Sequence, residues 1–268
     1  MYNEYWKLTE LPFENNPDPR FYFESAGHAE ALSRLEYLVN ERKPLGVLTG
    51  VYGCGKTLLL HSLATDMRLQ AAVFSTVNNP RVDDLGMLRM ILHGFKKIDP
   101  PTNKADVLME LEKWATDTAE DGKHSVIVID EAHAIENEKT FEELRLLLNL
   151  QTDKRSLVTL LLVGQPELRP RIESNKQLNQ RVSMRCHLGP FGAEETARYI
   201  NHRLEIAGAQ TELFSPEQTA LVHKLSGGIP RWINQICHLS LMVGFSKEAQ
   251  TITPEIIREA VHDLVGVK

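Results

Sequence analysis

Between Gly50 and Thr57 the chain reads Gly50-Val51-Tyr52-Gly53-Cys54-Gly55-Lys56-Thr57, a glycine, four free positions, then Gly-Lys-Thr. This spacing suits a triphosphate: glycines let backbone N–H groups close around the β-phosphate, and a helix starting at once adds its unpaired N–H groups and positive dipole end. The reading assigns nucleotide contacts to Gly50 through Leu58, places Lys56 across the β- and γ-phosphates, and makes the Thr57 hydroxyl a magnesium ligand. A second cluster, Asp130-Glu131, closes an apolar run. Asp130 is read as holding magnesium, partly through water, and Glu131 as the general base that polarises an attacking water. Gln165, after another apolar run, is positioned to report whether the γ-phosphate is present.

Arginine supplies the remaining chemistry. Arg169, Arg171, Lys176, Arg181 and Arg185 stand between Pro166 and Phe191 against only Glu167 and Glu173. A guanidinium fork binds two phosphate oxygens at once, so one of these at a subunit edge could enter a neighbour's site as an arginine finger, Arg181 first and Arg185 second. Arg231, in Gly227-Gly228-Ile229-Pro230-Arg231, falls in the first turn of a helix, where a cation is locally unfavourable and a phosphate contact is the more natural role. Cys54 occupies a free position of the loop. Its thiol would be open to oxidation only if the nearby helix end stabilised a thiolate.

These groups need a scaffold. Leu45 to Thr49, Ala71 to Val77, Ser125 to Ile129, Leu157 to Val163 and, more weakly, Val182 to Leu188 are strand candidates, and apolar residues at helical spacing alternate with them. Alternation of this kind implies a five-stranded parallel α/β sheet flanked by helices, with ligands outside the strands' carboxyl ends. After Pro190-Phe191 only helices follow, near Ala193 to Ile206, Pro216 to Leu225, Pro230 to Val243 and Pro254 to Leu264. Ser215-Pro216-Glu217 and Thr253-Pro254-Glu255 each combine a hydroxyl cap, a proline and an acid. The expected division is an α/β nucleotide domain over 1–191, including an aromatic-rich N-terminal lasso over 1–26, and a helical lid over 192–268.

Composition sets outer bounds. A chain of 268 residues with a net charge of -6 can bury a sizeable core and is not a strongly basic nucleic-acid binder overall. Cys54, Cys186 and Cys237 show no metal-ligand spacing and suggest reduced thiols in a cytoplasm-like compartment. No apolar run approaches a membrane span, and the N-terminus lacks the layout of a secretion signal.

In this order the motifs resemble the AAA+ ATPases. Met1-Tyr2, Pro12-Phe13, Pro17-Asp18-Pro19-Arg20-Phe21, His28 with Glu30-Ala31-Leu32, Asp130-Glu131-Ala132-His133, Gly164-Gln165-Pro166-Glu167-Leu168 and Gly227-Gly228-Ile229-Pro230-Arg231 resemble in particular the general secretion pathway protein A (ExeA-like) family. That branch is similar to TnsC-type transposition ATPases and to ATPases beside pilus and exopolysaccharide systems. The resemblance implies ATP-driven assembly into rings or filaments, with sensor 1 at Gln165, sensor 2 at Arg231 and a finger near Arg181. Secretion members continue into a membrane span and a peptidoglycan-binding region, whereas this sequence stops after the lid, which weighs against a direct envelope role unless the chain is a truncated piece of a longer protein or a partner supplies the anchor. Asp130-Glu131-Ala132-His133 also spells a helicase label, set aside because no second phosphate-loop-like domain is visible.

The leading expectation is a magnesium-dependent ATP hydrolase, acting at subunit interfaces of a homo-oligomer to remodel or recruit a partner in secretion, pilus or envelope machinery. The alternative is an ATP-dependent oligomer on duplex DNA, motivated by the basic segment and Lys96-Lys97. A switch with negligible turnover is disfavoured by an intact Glu131.

Overall fold

The computed structural model describes residues 2–16, 18–152 and 155–266; Met1 and Pro17, which carry part of the resemblance, lie outside them. In chain order come α1 (Tyr2–Tyr5), α2 (Ala26–Asn40), β1 (Leu45–Gly50), α3 (Lys56–Thr65), β2 (Ala72–Val77), α4 (Asp84–Lys96), α5 (Lys104–Glu120), β3 (His124–Ile129) and α6 (Glu138–Leu147). There follow β4 (Val158–Gly164), α7 (Leu168–Ser174), α8 (Lys176–Asn179), β5 (Val182–Leu188), α9 (Ala193–Ile206), α10 (Pro216–Ser226), α11 (Pro230–Ser246) and α12 (Pro254–Val265).

All five strands run parallel in the order β2-β3-β4-β1-β5. The three central strands are buried at every position, which is why they read as unbroken apolar runs. β5 lies on the edge and alternates buried with exposed residues, so its sequence signal is diluted by Ser183, Arg185 and His187. α4, α5 and α6 bury one apolar face each, with Leu88, Ile91, Leu111 and Leu144 joining Ile127, Leu160 and Leu162 in one core. Because the strands are parallel, the chain leaves Gly50, Ile129 and Gly164 at the same edge, and Thr49 pairs with Gly164 in register.

The chain divides into two compact units: residues 28–52 with 59–188, and residues 1–27 with 53–58 and 189–268. The sequence reading put the lasso with the α/β portion, but in the structure it belongs to the helical unit. Its rings find apolar partners there: Tyr2, Trp6 and Phe13 share a core with Tyr199, Phe214, Ile233 and Leu241. The Trp6 indole donates to the Leu241 carbonyl at 2.9 Å. Arg203, only 5% exposed, donates to the carbonyls of Pro12 and Glu14, so its buried charge is met by fixed dipoles. The lasso carries a turn of α-helix at α1 and a 3₁₀ turn over Pro19–Phe21 capped by Asp18. In the same unit the two hydroxyl-proline starts are closed differently. The Ser215 N–H donates to the Gln218 side chain at 2.6 Å, and the Thr253 hydroxyl accepts from the Ile256 N–H at 3.4 Å. Among the described residues no helix is long and apolar enough to cross a membrane.

Candidate functional site

The phosphate loop leaves β1 at Gly50 and becomes α3 at Lys56, the strand-loop-helix order the motif demands. Gly53 and Gly55 hold φ of 84° and 97°, left-handed values that a side chain would resist. Lys56 and Thr57 thereby occupy the first helical turn, and Lys56 is buried at 5% exposure. Gly53 is needed for space as well as for its angle. A Cβ there would stand 2.7 Å from the Cβ of Arg231, whose N–H donates to the Gly53 carbonyl at 3.2 Å. The first turn of α11 is thus packed against the loop, and Arg231 leaves the backbone beside it. Cys54 is fully buried, and burial pushes its thiol up from the ordinary cysteine value. Burial thus works against the thiolate that the helix end would have to stabilise.

At the end of β3 the buried Asp130 donates its N–H to the Val77 carbonyl at 2.9 Å, and its Oδ1 accepts the Glu131 N–H at 2.8 Å. Glu131 itself is left-handed, with φ 53° and ψ 32°. A non-glycine residue there costs roughly 1 kcal/mol, and such strain concentrates at functional sites. The bend turns the chain off the strand into a 3₁₀ turn over Ala132–Ala134 and leaves the Glu131 side chain about a third exposed, at 36%. Past the end of β4, the Gln165 N–H donates to His133 Nδ1 at 3.2 Å, and His133 Nε2 lies 3.4 Å from Glu131 Oε2. His133 is legible in the sequence as part of the Asp130-Glu131-Ala132-His133 motif, with no role assigned to it. The signal that could have found it is Gly164, where a Cβ would stand 3.1 Å from both the N and the Nδ1 of His133.

The basic segment is not a uniform solvated face. Arg169 pairs with Glu173 at 2.8 Å. Arg171 donates to the carbonyls of His133 (2.8 Å) and Ile135, pairs with Glu138 at 3.2 Å, and lies 4.9 Å over the Phe141 ring, so it clamps the turn after Glu131. Arg185 donates to the Asn179 side chain. Arg181 donates to the Leu148 carbonyl at 3.2 Å and to Asn149 at 2.7 Å, at the strands' amino ends, where Leu45 pairs with Val182. The length of β1, roughly 17 Å, separates that position from Gly50. Lys96 pairs with Glu110 at 2.8 Å, and the backbone of Lys97 forms the left-handed cap of α4.

Comparison with known proteins bears on the family and the fold. The profile of the AAA domain matches residues 39–172. The chain is 33% identical over its whole length to general secretion pathway protein A of Aeromonas hydrophila, of which it spans about half, 49%. Its fold resembles the Aeropyrum pernix ORC2 protein in its ADPNP–ADP complexes (TM-score 0.71, 17% identity, 94% of this chain and 70% of that one). It also resembles Drosophila ORC bound to DNA (TM-score 0.69, 16% identity, 92% and 64%). The chain belongs to the AAA domain family and carries a phosphate loop on the AAA+ fold.

Proposed function

We propose that the protein hydrolyses Mg-ATP at interfaces between copies of itself and uses the cycle to remodel or recruit a partner in secretion, pilus or envelope machinery, on the cytoplasmic side. The observation that carries the reading is the strained Glu131, bent off β3 beside the buried Asp130, in a chain whose phosphate loop is packed by Arg231. In this reading Lys56 neutralises the β- and γ-phosphates, Glu131 takes the proton of the attacking water, Gln165 senses the γ-phosphate as sensor 1, and Arg231 contacts the phosphates as sensor 2.

The donor set suits magnesium. Among the described residues no cluster of three or more His, Cys, Asp or Glu builds a metal cage. Magnesium does not need one, because it is held through one or two protein oxygens together with phosphates and water. Thr57 and Asp130 are the oxygens we assign to it. When bound it offsets the charge of the β- and γ-phosphates. Arg181 supports action between copies: it stands at the amino edge of the sheet, away from its own loop, where a neighbouring copy's site is the natural target. A concentration-dependent rate of phosphate release, falling at least a hundredfold in Glu131→Gln, is the expected result; a rate indifferent to both would overturn the proposal.

A second reading, an oligomer on duplex DNA, is favoured by one feature. Arg42, Lys43, Arg155 and Arg181 face a cleft at the strands' amino ends, with Glu41 as its acid. DNA affinity that falls steeply with salt and rises with ATP would select it, and no binding at low salt would remove it.

A further inference from the structure

We infer that His133 is a positioning residue for hydrolysis, a neutral imidazole that hands the state of the β4 end to the carboxylate of Glu131. This rests on Glu131 being the general base. The direction of the link follows from donors and acceptors. A backbone N–H can only donate, so Gln165 fixes Nδ1 of His133 as an acceptor, and a neutral ring must then carry its proton on Nε2. Nε2 faces Glu131 Oε2 at 3.4 Å, a separation longer than a closed hydrogen bond and of the kind that tightens when substrate assembles the site.

Three further features hold the ring where it is. Gly164 has no Cβ to collide with it, Arg171 grips the His133 and Ile135 carbonyls on its far side, and the Glu131 bend turns the chain toward it. A backbone N–H and a side chain 32 residues apart in sequence are thereby joined in one line. It runs from the N–H of the residue assigned to sense the γ-phosphate, through the imidazole, to the group that accepts the water's proton. A displacement at Gln165 would reorient the carboxylate with no contact between the two side chains.

Two substitutions separate this role from simple packing. In His133→Asn the shorter amide can still accept the Gln165 N–H, but nothing reaches Glu131. In His133→Gln the side-chain NH₂ reaches where Nε2 lies. We expect His133→Asn to lower kcat about ten- to a hundredfold with KM for ATP within about twofold, and His133→Gln to recover most of it. Equal behaviour of the two variants, whether both are unaffected or both impaired, would overturn the inference. So would a parallel loss in ATP affinity. Gly164→Ala, which crowds the ring from the other side, should lower kcat in the same direction, and combining it with His133→Asn should add little further loss; full additivity would count as failure. Glu131→Gln run alongside separates the two levels: if it retains turnover the general-base reading falls, and if it alone abolishes turnover while both His133 variants match the parent, only the relay falls.

Discussion

Two histidines bridge the same pair of strands at opposite ends of the sheet, and the contrast between them separates packing from chemistry. His124 opens β3 and is buried, with Nε2 at 2.7 Å from the Thr159 hydroxyl on β4. That hydroxyl spends its own proton on the Lys43 carbonyl, so His124 must donate through Nε2, and its Nδ1 is left in the interior without a partner. Burial pulls its pKa from 6.5 down to about 4, which keeps the ring neutral across the physiological range. His133, past the end of β3, uses the same tautomer but spends Nδ1 on a backbone donor and turns Nε2 toward a carboxylate about a third exposed. The same residue type makes a stitch at one end and a relay at the other. The difference lies in what the second nitrogen meets.

The largest expected effect would break the simple version of that contrast, in which the amino end only packs. Arg181→Ala should cost on the order of a thousandfold in turnover if the amino end serves a neighbour. Mixing it with Glu131→Gln, itself inactive, should restore activity at interfaces that pair an intact arginine with an intact carboxylate; no recovery on mixing would place Arg181 outside catalysis. Glu131→Gln alone should lose at least a hundredfold in phosphate release with an unchanged melting profile. Next comes Arg171→Ala, which leaves the His133 and Ile135 carbonyls without their clamp. It should lower kcat about tenfold and stability by about 1–2 kcal/mol, read by urea unfolding.

At the other end the effect is on stability. Between about pH 4 and 6.5 the unfolded state holds a proton on His124 that the folded state refuses, so stability rises with pH across that window. The contribution is fully present above pH 6.5 and is lost as pH falls toward 4, by up to about 3 kcal/mol. His124→Gln should flatten this acid limb without touching turnover at neutral pH. The smallest effect concerns Cys54: with its thiol buried and pushed up, alkylating reagents near neutral pH should leave ATP turnover unchanged within about twofold.

Much of the scaffold was readable in advance because its signals are local. β1, β3 and β4 are apolar throughout since both faces are covered, and the motif at Gly50–Thr57 carries its angles in its glycines. Two of the four C-terminal helices are announced by a hydroxyl, a proline and an acid at their starts. What escaped depends on meetings across the chain. Residue type offers no hint that Glu131 adopts a left-handed backbone, because any residue can be forced there by its surroundings. His133 gains meaning only when the end of β4 arrives 32 residues later. The basic segment looked uniform because spacing reports charge and not partners, and those partners are what distinguish Arg171 from Arg181. The lasso's composition announced that it was ordered without revealing which surface would receive its rings.

The buried grip of Arg203 on Pro12 and Glu14 bears on how the protein can be prepared. A fragment trimmed to the segment the AAA profile matches would discard this clasp together with β5, stripping β1 of its neighbour and offering an unsatisfied edge to other chains. Even a modest deletion of the first fourteen residues would strand a guanidinium in an apolar interior. Affinity handles therefore belong after α12 or upstream of Tyr2 with the leader intact, and inactivity of a shortened preparation would speak to folding before it spoke to catalysis.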